Sequence, residues 1–145
     1  MYHLYKLNDG RLISCGNDGL LNIYKKDSYE LQLSIKEHSS WINSFTQLND
    51  GRIITCSYTT MKIIKLIGED KYQIEQTLQA HTNTVSKVIE IKENELISVS
   101  YDKTMKIWKL NNAKKFELLL TFTFQNSKSG CNILKLNKNE FVTSS

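Results

Sequence analysis

Proline is absent from the 145 residues, and no long segment sets apolar side chains at a 3.6-residue period, so neither a proline-initiated helix start nor an amphipathic helical stripe is present. The longest apolar run, Phe116 to Phe124, is broken by Glu117, Thr121 and Thr123 and falls well short of the roughly 20 residues a membrane helix needs. The opening MYHLYKLNDG places no basic leader before an apolar block, so no secretory signal and no membrane association are expected. Cysteine is scarce: Cys15, Cys56 and Cys131 lie singly, without CxxC spacing or a histidine cluster, which argues against a zinc site and a disulfide framework. A reducing, intracellular setting is expected, cytoplasmic rather than nuclear. Arginine is scarcer still. Only Arg11 and Arg52 stand among 19 basic residues, and lysine scattered against 15 acidic residues reads as solvated surface. This argues against nucleic acid, whose phosphates and base edges favour arginine. No phosphate-cradling glycine loop, no spaced carboxylate pair and no metal-ligand cluster is found, so no cofactor and no metal are expected.

What the chain does contain is itself, four times over. KLNDGRLISCG (6–16), QLNDGRIITCS (47–57), EIKENELISVS (90–100) and KLNKNEFVTSS (135–145) are copies, and their equivalent Leu7, Leu48, Ile91 and Leu136 are separated by 41, 43 and 45 residues. After the first three copies come GLLNIYK, TMKIIKL and TMKIWKL, then polar turns, then the alternating runs ELQLSI, YQIEQTLQ and FELLLTFTF. Each unit thus offers short segments rich in β-branched, aromatic and leucine residues, alternating at period two and divided by turn residues such as Asn8-Asp9-Gly10 and Asn49-Asp50-Gly51. The pattern predicts an all-β chain with strands at about 1–7, 11–16, 20–25 and 30–35; 41–48, 52–57, 61–66 and 72–79; 84–91, 95–100, 104–110 and 116–124; then 130–136 and 140–145.

Four strands per unit, a period in the low forties, a histidine ahead of the first strand, and an aspartate then a tryptophan around the third resemble the WD-repeat β-propeller family. The resemblance covers essentially the whole chain as one domain and implies a partial propeller of four-stranded antiparallel blades, at about 1–37, 38–80 and 81–125, with a half blade at 126–145. Its strongest unit is the third, where His81, Ser98, Asp102 and Trp108 fall on the family's hydrogen-bonded structural tetrad. The same residues compose a Ser/His/Asp set, but a serine inside a strand, without a strained elbow or oxyanion donors, is a poor nucleophile, and no catalytic residue is assigned. The other units depart from the pattern. The second keeps His38 and Thr55 but is one residue short in its turn, losing the aspartate, and carries Ile64 for tryptophan, so its tetrad is expected to be absent. The first has Ser14, Asp18 and Tyr24, and the fourth has Asn126 in the histidine position.

Three and a half blades leave raw sheet faces and an unpaired edge. A fragment of a larger propeller is the expected explanation, with a homodimeric ring or an open stack as alternatives; two copies of the same half blade would duplicate inner strands and lack outer ones. The resemblance implies a noncatalytic scaffold that binds other proteins or peptides on the face bearing the loops into each first strand and between second and third strands. There the residues are Trp41, Tyr58 and Tyr101, with Asn17, Ser39, Thr82 and Thr84 beside them. The alternative is an anionic or phosphorylated ligand held by Lys62, Lys65, Lys106 and Lys109 along the third strands. Cys15 and Cys56, at one equivalent position, and Cys131 are read as small buried packing residues, and His3 as a lone strand histidine.

Overall fold

The computed structural model describes residues 2–125 and the backbone of residues 132–135 and 141–144. Period-two alternation becomes strands throughout. The first sheet holds β1 (His3–Lys6), β2 (Leu12–Cys15), β3 (Leu21–Tyr24) and β4 (Leu31–Ile35). The second holds β5 (Ser44–Gln47), β6 (Ile53–Ser57), β7 (Thr60–Ile67) and β8 (Lys71–Gln79). The third holds β9 (Val85–Lys92), β10 (Glu95–Ser100), β11 (Thr104–Leu110) and β12 (Phe116–Thr123), and β13 (Asn132–Lys135) pairs with β14 (Phe141–Ser144). In every sheet the strands pair in sequence order and antiparallel. Among the described residues there is no helix and no closed sheet. Asn126 and Cys131 lie outside them.

The strand expected from residue 41 begins only at Ser44. The amide of Ile42 turns instead to the Gly16 carbonyl of the first sheet, 3.3 Å away, so Trp41 is left on the connecting loop.

The tight turns after β1 and β5 explain where the two arginines go. Asp9 accepts from the Arg11 amide at 3.0 Å and from its Nε at 2.8 Å, and Asp50 repeats both bonds with Arg52 at the same distances. The carboxylate fixes backbone and side chain together, while Gly10 and Gly51 take the left-handed φ of 92° and 91° that the turn needs. Both arginines are thereby engaged at the end of the sheets opposite the β2–β3 and β6–β7 turns.

Sheets bury their faces against each other in sequence. Leu7, Ile13, Cys15, Leu21, Ile23 and Ile35 of the first sheet meet Ile42, Ile53 and Ile64 of the second. The opposite face of the second, with Leu48, Ile54, Cys56, Met61, Ile63 and Leu78, meets Val85, Val88, Leu96, Trp108 and Phe116 of the third. Every residue of β6 is therefore buried, since its sheet is covered on both sides. A third cluster, Ile97, Val99 and Met105 with Ile89, Ile91, Ile107 and Phe124, lies on the far face of the third sheet.

Side chains also stitch neighbouring sheets at equivalent positions. The Asn8 amide donates to Gln47 Oε1 at 2.9 Å, and the Asn49 amide to Glu90 Oε2 at 2.7 Å. Gln76 on β8 donates to the Phe116 carbonyl at 2.7 Å and accepts from its amide at 2.8 Å, pairing with β12 as a strand backbone would. Arg52 bonds Glu75 and lies over the Phe116 ring at 5.7 Å.

Gly19 shows how closely the first sheet's top turn fits its neighbour. Its φ is +73°, and a Cβ there would stand 2.7 Å from the His38 carbonyl oxygen and 2.8 Å from that of Ser40. Gly51 has φ +91° but open space around it. Gly51→Ala is expected to cost about 1 kcal/mol of unfolding free energy from backbone strain alone. Gly19→Ala, which adds a backbone collision, should cost about twice that or more, as read by chemical denaturation.

Candidate binding surface and the polar braces beneath it

The third sheet brings His81, Ser98, Asp102 and Trp108 together. His81 leads into β9, Ser98 sits within β10, Asp102 in the turn that follows, and Trp108 on β11. His81 Nδ1 lies 2.8 Å from Asp102 Oδ2 and Nε2 lies 2.7 Å from Ser98 Oγ, while Trp108 Nε1 donates to Ser98 Oγ at 2.9 Å. A carboxylate can only accept, which puts the imidazole proton on Nδ1 and makes Nε2 the acceptor of the serine hydroxyl. Asp102 further accepts from the Thr82 and Thr104 amides at 3.1 and 2.8 Å and from the Thr104 hydroxyl at 2.6 Å. Burial pushes the Asp102 carboxyl up, but the Thr104 hydroxyl, the Thr82 amide and His81 outweigh it and hold its pKa below 3.8. Burial lowers the His81 pKa below 6.5 against the pull of Asp102. Geometrically this is a Ser/His/Asp chain. Ser98, however, is fully buried beneath the indole that occupies its oxygen, and no substrate reaches it without opening the sheet.

The other two sheets solve the same problem with different groups. In the first, Tyr24 takes the tryptophan's place and its hydroxyl lies 3.2 Å from Ser14 Oγ. Asp18 accepts from the Leu20 amide at 3.0 Å. In the second, the bond between His38 Nε2 and Thr55 Oγ1 survives at 2.7 Å although aspartate and tryptophan are gone. Glu37 and Tyr72, which sequence reasoning missed, anchor this loop together with Lys62, which the sequence placed in a lysine stripe. Tyr72 donates to Glu37 Oε1 at 2.7 Å, and Lys62 Nζ donates to the Glu37 carbonyl at 2.6 Å and pairs with its carboxylate at 3.7 Å. Lys106, the equivalent of Lys62, donates to the Ala80 carbonyl at 2.9 Å. The recurring TMKI was the available signal: a lysine in register with the histidine loop of its own unit.

Above these braces the expected partner-facing residues stand on consecutive loops. Trp41, Tyr58 and Tyr101 are 59%, 60% and 49% exposed. Asn17, Ser39 and Thr82 are exposed, and Thr84 is half-buried. Backbone bonds join these loops: Ile42 N to Gly16 O at 3.3 Å, Asn43 N to Cys56 O at 2.9 Å, Val85 N to Tyr58 O at 2.6 Å and Tyr101 N to Thr84 O at 2.9 Å. The aromatics therefore project from one hydrogen-bonded rim.

Tyr58 is held there against backbone preference. Its turn has lost a residue relative to the other sheets and joins Ser57 to Thr60 through two residues, with Tyr58 at φ +46°. Glycine or asparagine is favoured in that region, and an ordinary side chain costs about 1–2 kcal/mol.

Of the other residues singled out, Cys15 and Cys56 are buried and unpaired, and burial raises their thiols to about 11 and about 12. Thiols held protonated are poor nucleophiles and metal ligands. Lys62 and Lys106 point to loop carbonyls, which leaves Lys65 and Lys109 exposed. Among the described residues no group of three or more His, Cys, Asp or Glu could hold a metal ion, and no helix is long and apolar enough to cross a membrane.

The braces give a pH signature. Burial, chiefly, lowers the His38 pKa to about 4, with Lys62 adding to the effect. A depressed histidine binds its proton more weakly folded than unfolded, so its contribution is intact above pH 6.5 and is lost as pH falls toward 4. Melting temperature is expected to fall across that window, and His38→Gln to flatten the slope. Asp102→Asn, which leaves bonded donors without their anion, is expected to cost about 1–3 kcal/mol at neutral pH in denaturant titrations.

The family model for the WD domain, G-beta repeat (WD40) matches residues 72–109, the span holding His81, Ser98, Asp102 and Trp108. Among solved structures, the WD40 β-propeller domain of Doa1 matches with a TM-score of 0.71 and 20% identity over 94% of this chain and 44% of that one. The chain thus spans less than half the length of that structure. No curated protein matches it in sequence. Residues 72–109 are a WD40 repeat, and the chain has the fold of a WD40 β-propeller, as three four-stranded blades and two strands beyond them.

Proposed function

We propose that the chain is a noncatalytic protein-interaction scaffold that binds its partner through Trp41, Tyr58 and Tyr101, with Asn17, Ser39, Thr82 and Thr84 at their sides. The observation that carries this reading is the joined rim: three large aromatic side chains, 49% to 60% exposed, project from loops fixed to each other by backbone bonds. Rigid, amphipathic Tyr and Trp side chains provide contact area at little entropic cost, as interface hot spots require. Scaffolding is the usual role of WD40 domains, and the sealed Ser98 supports a noncatalytic reading. An anionic ligand held by third-strand lysines is disfavoured because Lys62 and Lys106 are engaged by carbonyls.

The chain acts, on this reading, as part of a larger propeller. Leu78 in the second blade is 9% exposed beneath the third, whereas its equivalent Phe122 is 44% exposed and Leu120 stands open beside it. Leu4 and Leu31 are similarly open on the outer face of the first blade. Further blades would cover both faces. A monomeric mass in solution would exclude closure by a second copy, while a dimer in which Phe122→Glu restores the monomer would favour it. The unpaired cysteines support placing the protein inside the cell.

Alanine at Trp41 or Tyr101 is expected to weaken partner binding by about ten-fold or more, and to move the melting temperature by no more than about 2–4 °C. Unchanged partner recovery in quantitative pull-downs of the double variant sinks the assignment of this rim.

A further inference from the structure

The turn between β3 and β4, residues 25–30 (KKDSYE), is exposed at every position and lies at the end of the blades opposite the aromatic rim. Two backbone bonds close it, from Lys25 N to Glu30 O at 2.9 Å and from Tyr29 N to Lys25 O at 3.2 Å. Tyr29 is held there at φ +57°, a strained conformation for a residue with a side chain. Such a turn opens at little cost, because extending it relieves the strain and buries or exposes no apolar core. The equivalent turns of the next two blades, residues 68–70 (GED) and 111–115 (NNAKK), carry no hydroxyl group.

Ser28 sits among charges. Its Oγ donates to Glu30 Oε2 at 3.3 Å and accepts from the Glu30 amide at 3.4 Å, and the same carboxylate oxygen takes the Lys25 ammonium at 3.2 Å. With Arg11, Lys25 and Lys26, Ser28 lines an open cavity of about 520 Å³ that reaches Gly68 and Glu69 of the second blade. Asp9 and Asp27 line it too, and Asp9 is bonded to Arg11. Among the exposed serines and threonines of the described residues, Ser28 alone follows two lysines, Lys25 and Lys26, at the third and second positions before it. Ser39 has Lys36 at the third position but Glu37 at the second, while Ser34, Thr77, Thr121 and Thr123 lie within strands.

From this charge pattern on a readily opened turn, we propose that Ser28 is a phosphorylation site for a basophilic serine/threonine kinase. Kinases choose substrates by charge pattern, and Lys25 and Lys26 match acidic subsites upstream of the acceptor. The opened turn offers Ser28 in extended backbone. Its Oγ attacks the γ-phosphorus of ATP, the bond to the β,γ-bridging oxygen breaks, ADP leaves, and the hydroxyl proton passes to the catalytic aspartate of the kinase. The phosphoserine brings about −1.5 to −2 of charge and three acceptor oxygens to the place where Glu30 now holds Lys25. Repulsion displaces the Glu30 carboxylate, and Lys25 and Lys26 become the counter-ions of the phosphate.

Incubating the folded full chain with ATP and the catalytic subunit of cyclic-AMP-dependent kinase tests this, with the modified residue located by tandem mass spectrometry. A single phosphate on Ser28 is expected, and Ser28→Ala should abolish incorporation. Replacing Lys25 and Lys26 together by alanine should lower kcat/KM by about ten-fold or more, whereas Lys65→Ala, at the position in the second blade equivalent to Lys25, should leave it unchanged. No incorporation, phosphate at another residue, or modification only of a heat-unfolded chain would overturn the site. Incorporation at Ser28 that is indifferent to both lysines would overturn the basophilic kinase.

Discussion

A sheet with apolar side chains on both faces has no stable place in water alone; each face must be covered by another sheet. The second blade meets that demand on both sides, and β6, buried at every position, is the result. Everything else follows from keeping adjacent blades in register while their apolar faces, which are nondirectional, would tolerate sliding. Direction comes from hydrogen bonds at either end of the sheets: Asn8 to Gln47 and Asn49 to Glu90 at one end, Ile42 to Gly16 and Val85 to Tyr58 at the other. Apolar burial of this kind contributes most of the energy, about 25 cal/mol per Å², and the bonds choose the geometry.

The polar braces inside the blades belong to the same constraint. A loop that crosses from the outer strand of one blade to the inner strand of the next carries backbone groups over a packed edge, and it must be tied to something. The third blade ties it with His81, Asp102, Ser98 and Trp108; the second with Glu37, Lys62 and Tyr72 beside a surviving His38–Thr55 bond. The second blade lacks one turn residue and the aspartate with it, holds Tyr58 in a left-handed conformation, and ties its loop through Lys62, as Lys106 does in the third blade, with Tyr72 added. The same requirement is satisfied with different chemistry, which is why blades so unequal in sequence stack in one array.

Architecture was readable in the letters because a repeat converts weak local signals into a strong one. Any single LNDGR turn is ordinary, but four copies of its surroundings set strand number, order and pairing. The set His81, Ser98, Asp102 and Trp108 was legible for the same reason: its residue types have few uses at those spacings. Glu37, Lys62 and Tyr72 were not, because a loop glutamate and a lysine and a tyrosine on alternating positions of strands read as solvated surface, and only the fold shows them meeting over 25 and 35 residues of sequence. Likewise nothing in the letters says that Tyr58 is strained, since strain is a property of the shortened turn and not of the residue.

The left-handed turns of the chain carry ordinary side chains as well as glycine. Tyr58 at φ +46° and Tyr29 at φ +57°, both mostly exposed, occupy the region that glycine or asparagine favours. Tyr58 differs from Trp108 in its surroundings: the indole is buried and bonded to Ser98, whereas the phenol is 60% exposed. Polar atoms beneath the rim are bonded to each other, whereas the aromatic rings above it are turned to solvent, and that division separates the internal braces from the surface the loops present.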